Sequence, residues 1–144
     1  MAEHIIRKAD ESGYPVDRLT IEVTETAALD SDAARAALVR LSGAGVTLAM
    51  DDFGSGATLL TNLERLPFSY MKLDGFYVED IAENPKYQEL VSGLARLART
   101  LDVSVIAEHV SYDYTMDFLK SSGIEYAQGF YLGKPTPMTE SLPA

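Results

Sequence analysis

Apolar and polar residues alternate along this chain in two rhythms, one of period two and one close to 3.6. Leu19-Thr20-Ile21-Glu22-Val23-Thr24 follows the first, placing Leu19, Ile21 and Val23 on one face of a strand and Thr20, Glu22 and Thr24 on the other. Ahead of it, residues 3 to about 13 read as a short helix with Ile5, Ile6 and Ala9 on its apolar side, ended by Ser12-Gly13-Tyr14-Pro15. After it, Asp30 and Ser31 are suitable caps for a helix over about 32–43. Its stripe is Ala34, Ala37, Leu38 and Leu41, and Gly43 or Gly45 stops it. The same alternation recurs three more times. It predicts strands over 46–51, 68–74, 103–108 and 124–130, with helices over 57–66, 84–101 and 112–120 between them. Asn84-Pro85 opens the longest helix, whose stripe runs Tyr87, Leu90, Val91, Leu94, Leu97, Ala98 and Leu101.

Strands and helices in strict alternation imply right-handed βαβ units and a parallel sheet. One strand face collects Thr20/Glu22/Thr24, Thr47/Ala49/Asp51, Tyr70/Lys72/Asp74, Ser104/Ile106/Glu108 and Ile124/Tyr126/Gln128. The opposite face is mostly Ile, Val, Leu and Met, suited to packing beneath helices. A doubly wound sheet would bury both faces in apolar side chains. A polar or ionisable group on every strand, towards the C-terminal ends, instead suits a (β/α) barrel, whose active site sits at that end. The expected fold class is therefore α/β, a partial TIM-type (β/α) barrel of about five parallel strands.

Composition narrows the function. At 144 residues the chain supports one core, so 1–144 is taken as a single domain. A net charge of −10 argues against nonspecific binding to DNA, RNA or anionic membranes. No apolar run is long enough to span a bilayer, and the start carries no secretory pattern. Cysteine is absent, which removes disulfides and thiolate metal sites and fits a cytoplasmic location. A phosphorylated small molecule remains compatible with the acidic balance if cations shield the carboxylates.

The chemistry centres on Leu48-Ala49-Met50-Asp51-Asp52-Phe53-Gly54-Ser55-Gly56, where an apolar strand delivers two adjacent carboxylates to a glycine-bearing turn. Adjacent carboxylates need a positive partner, and a divalent metal is the usual one, although Asp and Gly also favour turns on their own account. Lys72 could be a surface lysine, but its neighbours Met71, Leu73 and Phe76 are expected to be buried. Glu108 could be a solvated strand end, and Gln128 could simply satisfy backbone groups. Neither His4 nor His109 belongs to a cluster. What distinguishes these residues is that they fall at corresponding positions on five strands.

Their order and spacing resemble a known family. Glu22-Val23-Thr24-Glu25 is followed by Asp51-Asp52-Phe53-Gly54-Ser55-Gly56, then Leu66-Pro67 leads to Lys72-Leu73-Asp74. Val105-Ile106-Ala107-Glu108, Ala127-Gln128-Gly129-Phe130 and Lys134-Pro135 complete the series. This resembles the EAL domain, a (β/α) barrel phosphodiesterase that hydrolyses the bacterial second messenger cyclic di-GMP to linear pGpG. The resemblance implies a two-metal Mg²⁺ or Mn²⁺ site with Glu22, Asp51 and Asp52 as ligands. It also implies a catalytic Lys72 near water and phosphate, Glu108 as general base or outer ligand, Gln128 and Asp74 lining the site, and Glu25 steadying the loop after Asp52.

Several positions depart from the family pattern. No Glu-Ala-Leu precedes Glu22, five strands stand where a barrel has eight, and the chain is shorter than the ~250 residues of a full barrel. Ala57-Thr58-Leu59 stands where Tyr-Ser-Ser is usual, Gly75 where Arg is usual, and Glu108-His109-Val110-Ser111 where Glu-Gly-Val-Glu is usual. A catalytically inactive EAL module that binds nucleotide or protein is therefore the alternative. Open barrel edges further predict a homodimer or docking onto another polypeptide.

Overall fold

In the computed structural model, which describes residues 1–24, 27, 31–53 and 65–137, the period-two stretches become one parallel sheet. Its strands are β1 (Thr20–Thr24), β2 (Thr47–Phe53), β3 (Tyr70–Leu73), β4 (Ser104–Ala107) and β5 (Tyr126–Ala127). They lie side by side in chain order, each parallel to the next. Every connection therefore steps to the adjacent strand, the winding of a barrel wall rather than of a doubly wound sheet. Among the described residues β1 and β5 each pair on one side only. Glu25 and most of the helix expected over 57–66 lie outside the described residues.

Local chemistry sets the helix ends. Helix α1 (Ala2–Ser12) stops at Gly13, whose φ of 69° lets its N–H reach back to the carbonyls of Ala9 and Asp10. Helix α2 (Asp32–Gly43) begins where Ser31 Oγ accepts from the Ala34 N–H at 3.1 Å. Helix α4 (Pro85–Thr100) is opened by Asn84, whose Oδ1 accepts from the Lys86 N–H, with Pro85 in its first turn. Helix α5 (Asp113–Ser121) precedes β5. Two elements have no counterpart in the sequence pattern: a single 3₁₀ turn at Val16–Arg18 and the short helix α3 (Gly75–Glu79). Neither is long enough to show helical periodicity.

The core lies between the helices and one sheet face. Leu48, Met50, Met71, Leu73, Val105 and Ala107 are buried there with Leu38, Leu41, Val91, Ala95, Ala98 and Leu119. Fully burying a side chain of this size contributes about 1.5–3 kcal/mol. Two expectations need correction. Leu90 is 43% exposed, because α4 meets the core through Val91, Ala95 and Ala98, and a residue one step earlier falls about 100° round the helix. Phe76 is 64% exposed, because α3 turns it outward against the rings of Tyr77 and Tyr87. The last strand is also shorter than the 124–130 expected. Backbone pairing nevertheless continues past it, from the Gln128 N–H to Ala107 O at 2.9 Å. No helix among the described residues is long and apolar enough to cross a membrane.

Candidate functional site

The polar face of the sheet converges on Lys72. Register sets Thr24 beside Asp51 and Glu22 beside Ala49, so Glu22 and Asp51 project from the same face of adjacent strands. Lys72, on the next strand, donates from Nζ to Glu22 Oε2 and to Asp51 Oδ1, both at 2.8 Å. Glu108 follows the last residue of β4, and its Oε1 stands 3.0 Å from the same Nζ. The Lys72 side chain is 7% exposed, while those of Glu22, Asp51 and Glu108 are 51%, 24% and 12% exposed. Burial is the largest single influence on Lys72 and favours the neutral amine. The hydrogen bonds that the ammonium donates to Asp51, Glu22 and Glu108 together outweigh it and hold its pKa well above the ordinary lysine value. Lys72 is therefore charged at neutral pH and balanced on three sides.

A backbone irregularity brings in the second aspartate. Between Met50 and Phe53 the pairing of β2 with β3 shifts, so three steps along β2 match two along β3. Such a bulge re-aims side chains that strict alternation would send to opposite faces. Asp52 occupies the left-handed region with φ 56°, a conformation that Asp tolerates better than most residues. The result is that one oxygen each from Asp51, Asp52 and Glu108 lies within 4.8 Å of the others. Carboxylates are the hard oxygen donors that Mg²⁺, Mn²⁺ and Ca²⁺ take, and Glu22, Asp51 and Glu108 outnumber the one ammonium among them. The donor set fits a divalent cation.

Gln128 joins the same centre from the end of β5, its Nε2 donating to Glu108 Oε1 at 2.5 Å. Asp74 behaves differently. Its Oδ1 accepts from the Phe76 N–H at 2.8 Å, which caps α3. A cleft of about 810 Å³ adjoins the centre through Gln128, and His109, Phe130, Lys134 and Glu79 are among the residues that line it. The cleft rests on one tight contact. Val110 N–H bonds to Gln128 O at 3.1 Å and Tyr131 N–H to Val110 O at 3.0 Å, with Gly129 pressed between. A Cβ on Gly129 would lie 2.2 Å from Val110 O, so only glycine fits. His109 and Glu79 carry no periodic signal. The one trace of His109 in the sequence is a side chain where the family pattern has glycine.

A singly wound parallel sheet, with carboxylates and a buried lysine gathered towards the C-terminal ends of its strands, has the architecture of a (β/α) barrel enzyme site. Comparison with known proteins names the family. The EAL domain model matches residues 1–135, and the chain belongs to that family. It is 38% identical over 125 residues to the bifunctional diguanylate cyclase/cyclic di-GMP phosphodiesterase MucR of Pseudomonas aeruginosa, covering 86% of this chain and 18% of that protein. It is 33% identical over 139 residues to the cyclic di-GMP phosphodiesterase PdeB of Shewanella oneidensis, covering 96% of this chain and 16% of that one. The chain thus spans under a fifth of the length of these relatives. Among solved structures, the PaMucR phosphodiesterase in complex with c-di-GMP superposes with a TM-score of 0.90 at 35% identity, over 97% of this chain and 57% of that one. The calcium/cy-diGMP complex of Klebsiella pneumoniae BlrP1 gives a TM-score of 0.82 at 34% identity, over 90% of this chain and 33% of that one. A manganese complex of the same protein gives 0.82, over 89% of this chain and 33% of that one.

Proposed function

We propose that this domain serves the metal-dependent hydrolysis of cyclic di-GMP to linear pGpG. The observation that carries the reading is Lys72, held between Glu22, Asp51 and Glu108 where the polar faces of three strands and the end of a fourth meet. In the reaction, water adds to phosphorus as one phosphodiester P–O bond breaks, and the leaving oxygen takes a proton. Asp51 and Asp52, with Glu22, would hold Mg²⁺ or Mn²⁺. A cation bound there supplies Lewis-acid polarisation and a more acidic water. Lys72 presents fixed positive charge where negative charge develops on phosphate, and its three anchors spare it reorganisation during the reaction. Glu108 would accept a proton from water, a role supported by Gln128 and Lys72, both within bonding distance of its Oε1. Manganese and calcium in complexes of a relative at 34% identity support the choice of cation type.

A second reading, a non-catalytic EAL module, is favoured by the one-sided pairing of β1 and β5. Either edge could accept a strand from a second copy or another polypeptide. The deciding experiment is cyclic di-GMP hydrolysis by the purified chain with Mg²⁺ or Mn²⁺, beside Asp51→Ala. The enzymatic reading expects turnover that falls by more than about a hundredfold in the variant, since loss of groups merely supporting a ligand already costs 10–100-fold. No turnover in either protein would leave the non-catalytic module, and equal turnover in the two would remove Asp51 from the catalytic centre.

A further inference from the structure

Two of this chain's departures from the family pattern meet in space. Gly75 is buried at the start of α3, and its φ is not positive, so backbone freedom does not explain the glycine. Space does. A Cβ at position 75 would lie 1.9 Å from His109 Nδ1, 2.4 Å from Cγ and 2.8 Å from Cβ of the same residue. The imidazole thus sits against the bare backbone of Gly75, in volume that any other residue there would claim. His109 itself adopts φ 56°. The left-handed region is sparsely populated by residues with a side chain, although His enters it more readily than most, and such a backbone persists where its surroundings hold it. Those surroundings are the Glu108 and Val110 strand end, the Glu79 Oε1 3.4 Å from Nδ1, and Gly75.

The seated ring faces a ligand-sized space. It lines the cleft of about 810 Å³ together with Gln128, Phe130 and Lys134, within the range of small-molecule sites. Gln128 belongs to both the cleft and the carboxylate centre, so the two adjoin through it. Lys134 Nζ lies 5.6 Å from the Phe130 ring centroid, giving the same wall a cation and an aromatic face. An aromatic heterocycle joined to a phosphate matches this wall: the base stacks on a ring and the phosphate meets a cation.

We propose that His109, admitted by Gly75, is a positioning and specificity-determining residue that receives the base of the nucleotide. This inference rests on the cyclic dinucleotide reading above. The coupling is a matter of sterics: residue 75 stays without a side chain so that residue 109 can have one at this place. It predicts that the two positions change together and that altering either one alters the hold on the base.

The chain has two histidines, His4 and His109, so the ring of interest can be followed by NMR in uniformly ¹³C-labelled protein, with His4 on α1 as an internal reference. Cyclic di-GMP is added at fixed pH in the presence of Ca²⁺. The expected result is a shift of the His109 ring signals with His4 unmoved. His109→Ala should weaken binding roughly tenfold, the scale of one lost base-stacking contact. Gly75→Ala should displace the His109 signals before any ligand is added and weaken binding to a similar extent. The double variant should bind no worse than His109→Ala alone, and its melting temperature should recover towards that of the parent. Binding by the parent that leaves His109 unshifted, and that His109→Ala retains in full, overturns the inference and leaves the nucleotide reading standing. No binding by the parent overturns both.

Discussion

At residue scale the centre depends on one ammonium shared by three carboxylates. Removing it with Lys72→Met leaves Glu22, Asp51 and Glu108 facing one another without their common partner. Losing one member of a buried pair can cost 3–5 kcal/mol, and the partial exposure of these carboxylates brings the expected loss down to about 2 kcal/mol. Because the variant's centre is more negative, 10 mM Mg²⁺, roughly a saturating level, should raise its melting temperature more than it raises the parent's. An equal rise in the two proteins would count against a cation site here. The pH dependence follows from the direction of the Lys72 shift. A pKa above the ordinary 10.5 means the charged form is stabilised by folding. That contribution is fully present below 10.5 and is lost as pH rises through the folded-state value. The gap in stability between parent and Lys72→Met is thus expected to stay flat from about pH 6 to 9 and to narrow only in strong alkali. Urea melts across that range check it.

Two backbone devices, the bulge in β2 and the glycine after Gln128, shape the site at the scale of elements. Asp52 sits at φ 56° in the bulge, so its conformational and chemical roles can be separated by substitution. Asp52→Ala should be less stable than Asp52→Gly by about 1 kcal/mol, since only the second relieves the left-handed backbone. Both should lose the proposed metal-dependent hydrolysis. Identical melting curves for the two variants would mean the bulge relaxes when the carboxylate is removed. Gly129→Ala tests the other device. Its new Cβ would meet Val110 backbone atoms rather than a movable side chain, and overpacking of this kind costs about 1–3 kcal/mol. Gln128 would be displaced with it, so activity should fall together with stability.

For the molecule as a whole, five parallel strands in chain order leave β1 and β5 paired on one side each among the described residues. Parallel sheets are normally covered, and unpaired edges invite further strands. Sedimentation velocity over a roughly micromolar concentration series should show association. A single monomeric boundary throughout would mean the edges are protected by other means. A net charge of −10 opposes self-association by repulsion, so added salt should strengthen it.

The sequence alone determined the winding and the cast of charged residues. Period two and period 3.6 are local properties, and strict alternation of the two permits few topologies, so β1 to β4 and helices α1, α2, α4 and α5 are legible in the sequence. The shared face of Glu22, Asp51 and Lys72 is legible for the same reason, and Glu108 and Gln128 follow directly on the ends of β4 and β5. Elements too short to complete a period, such as α3 and the 3₁₀ turn, left no such trace. Nor did the outward turn of Phe76 and Leu90, which depends on how α3 and α4 settle on the sheet. Only tertiary structure decided that Lys72 bonds three carboxylates at once, that a bulge turns Asp52 towards Asp51 and Glu108, and that His109 fills the space above Gly75. Lys72 and its three carboxylates, Glu108 and the two aspartates, and His109 and Gly75 stand 21 to 57 positions apart in the chain, brought together by packing that no local pattern encodes.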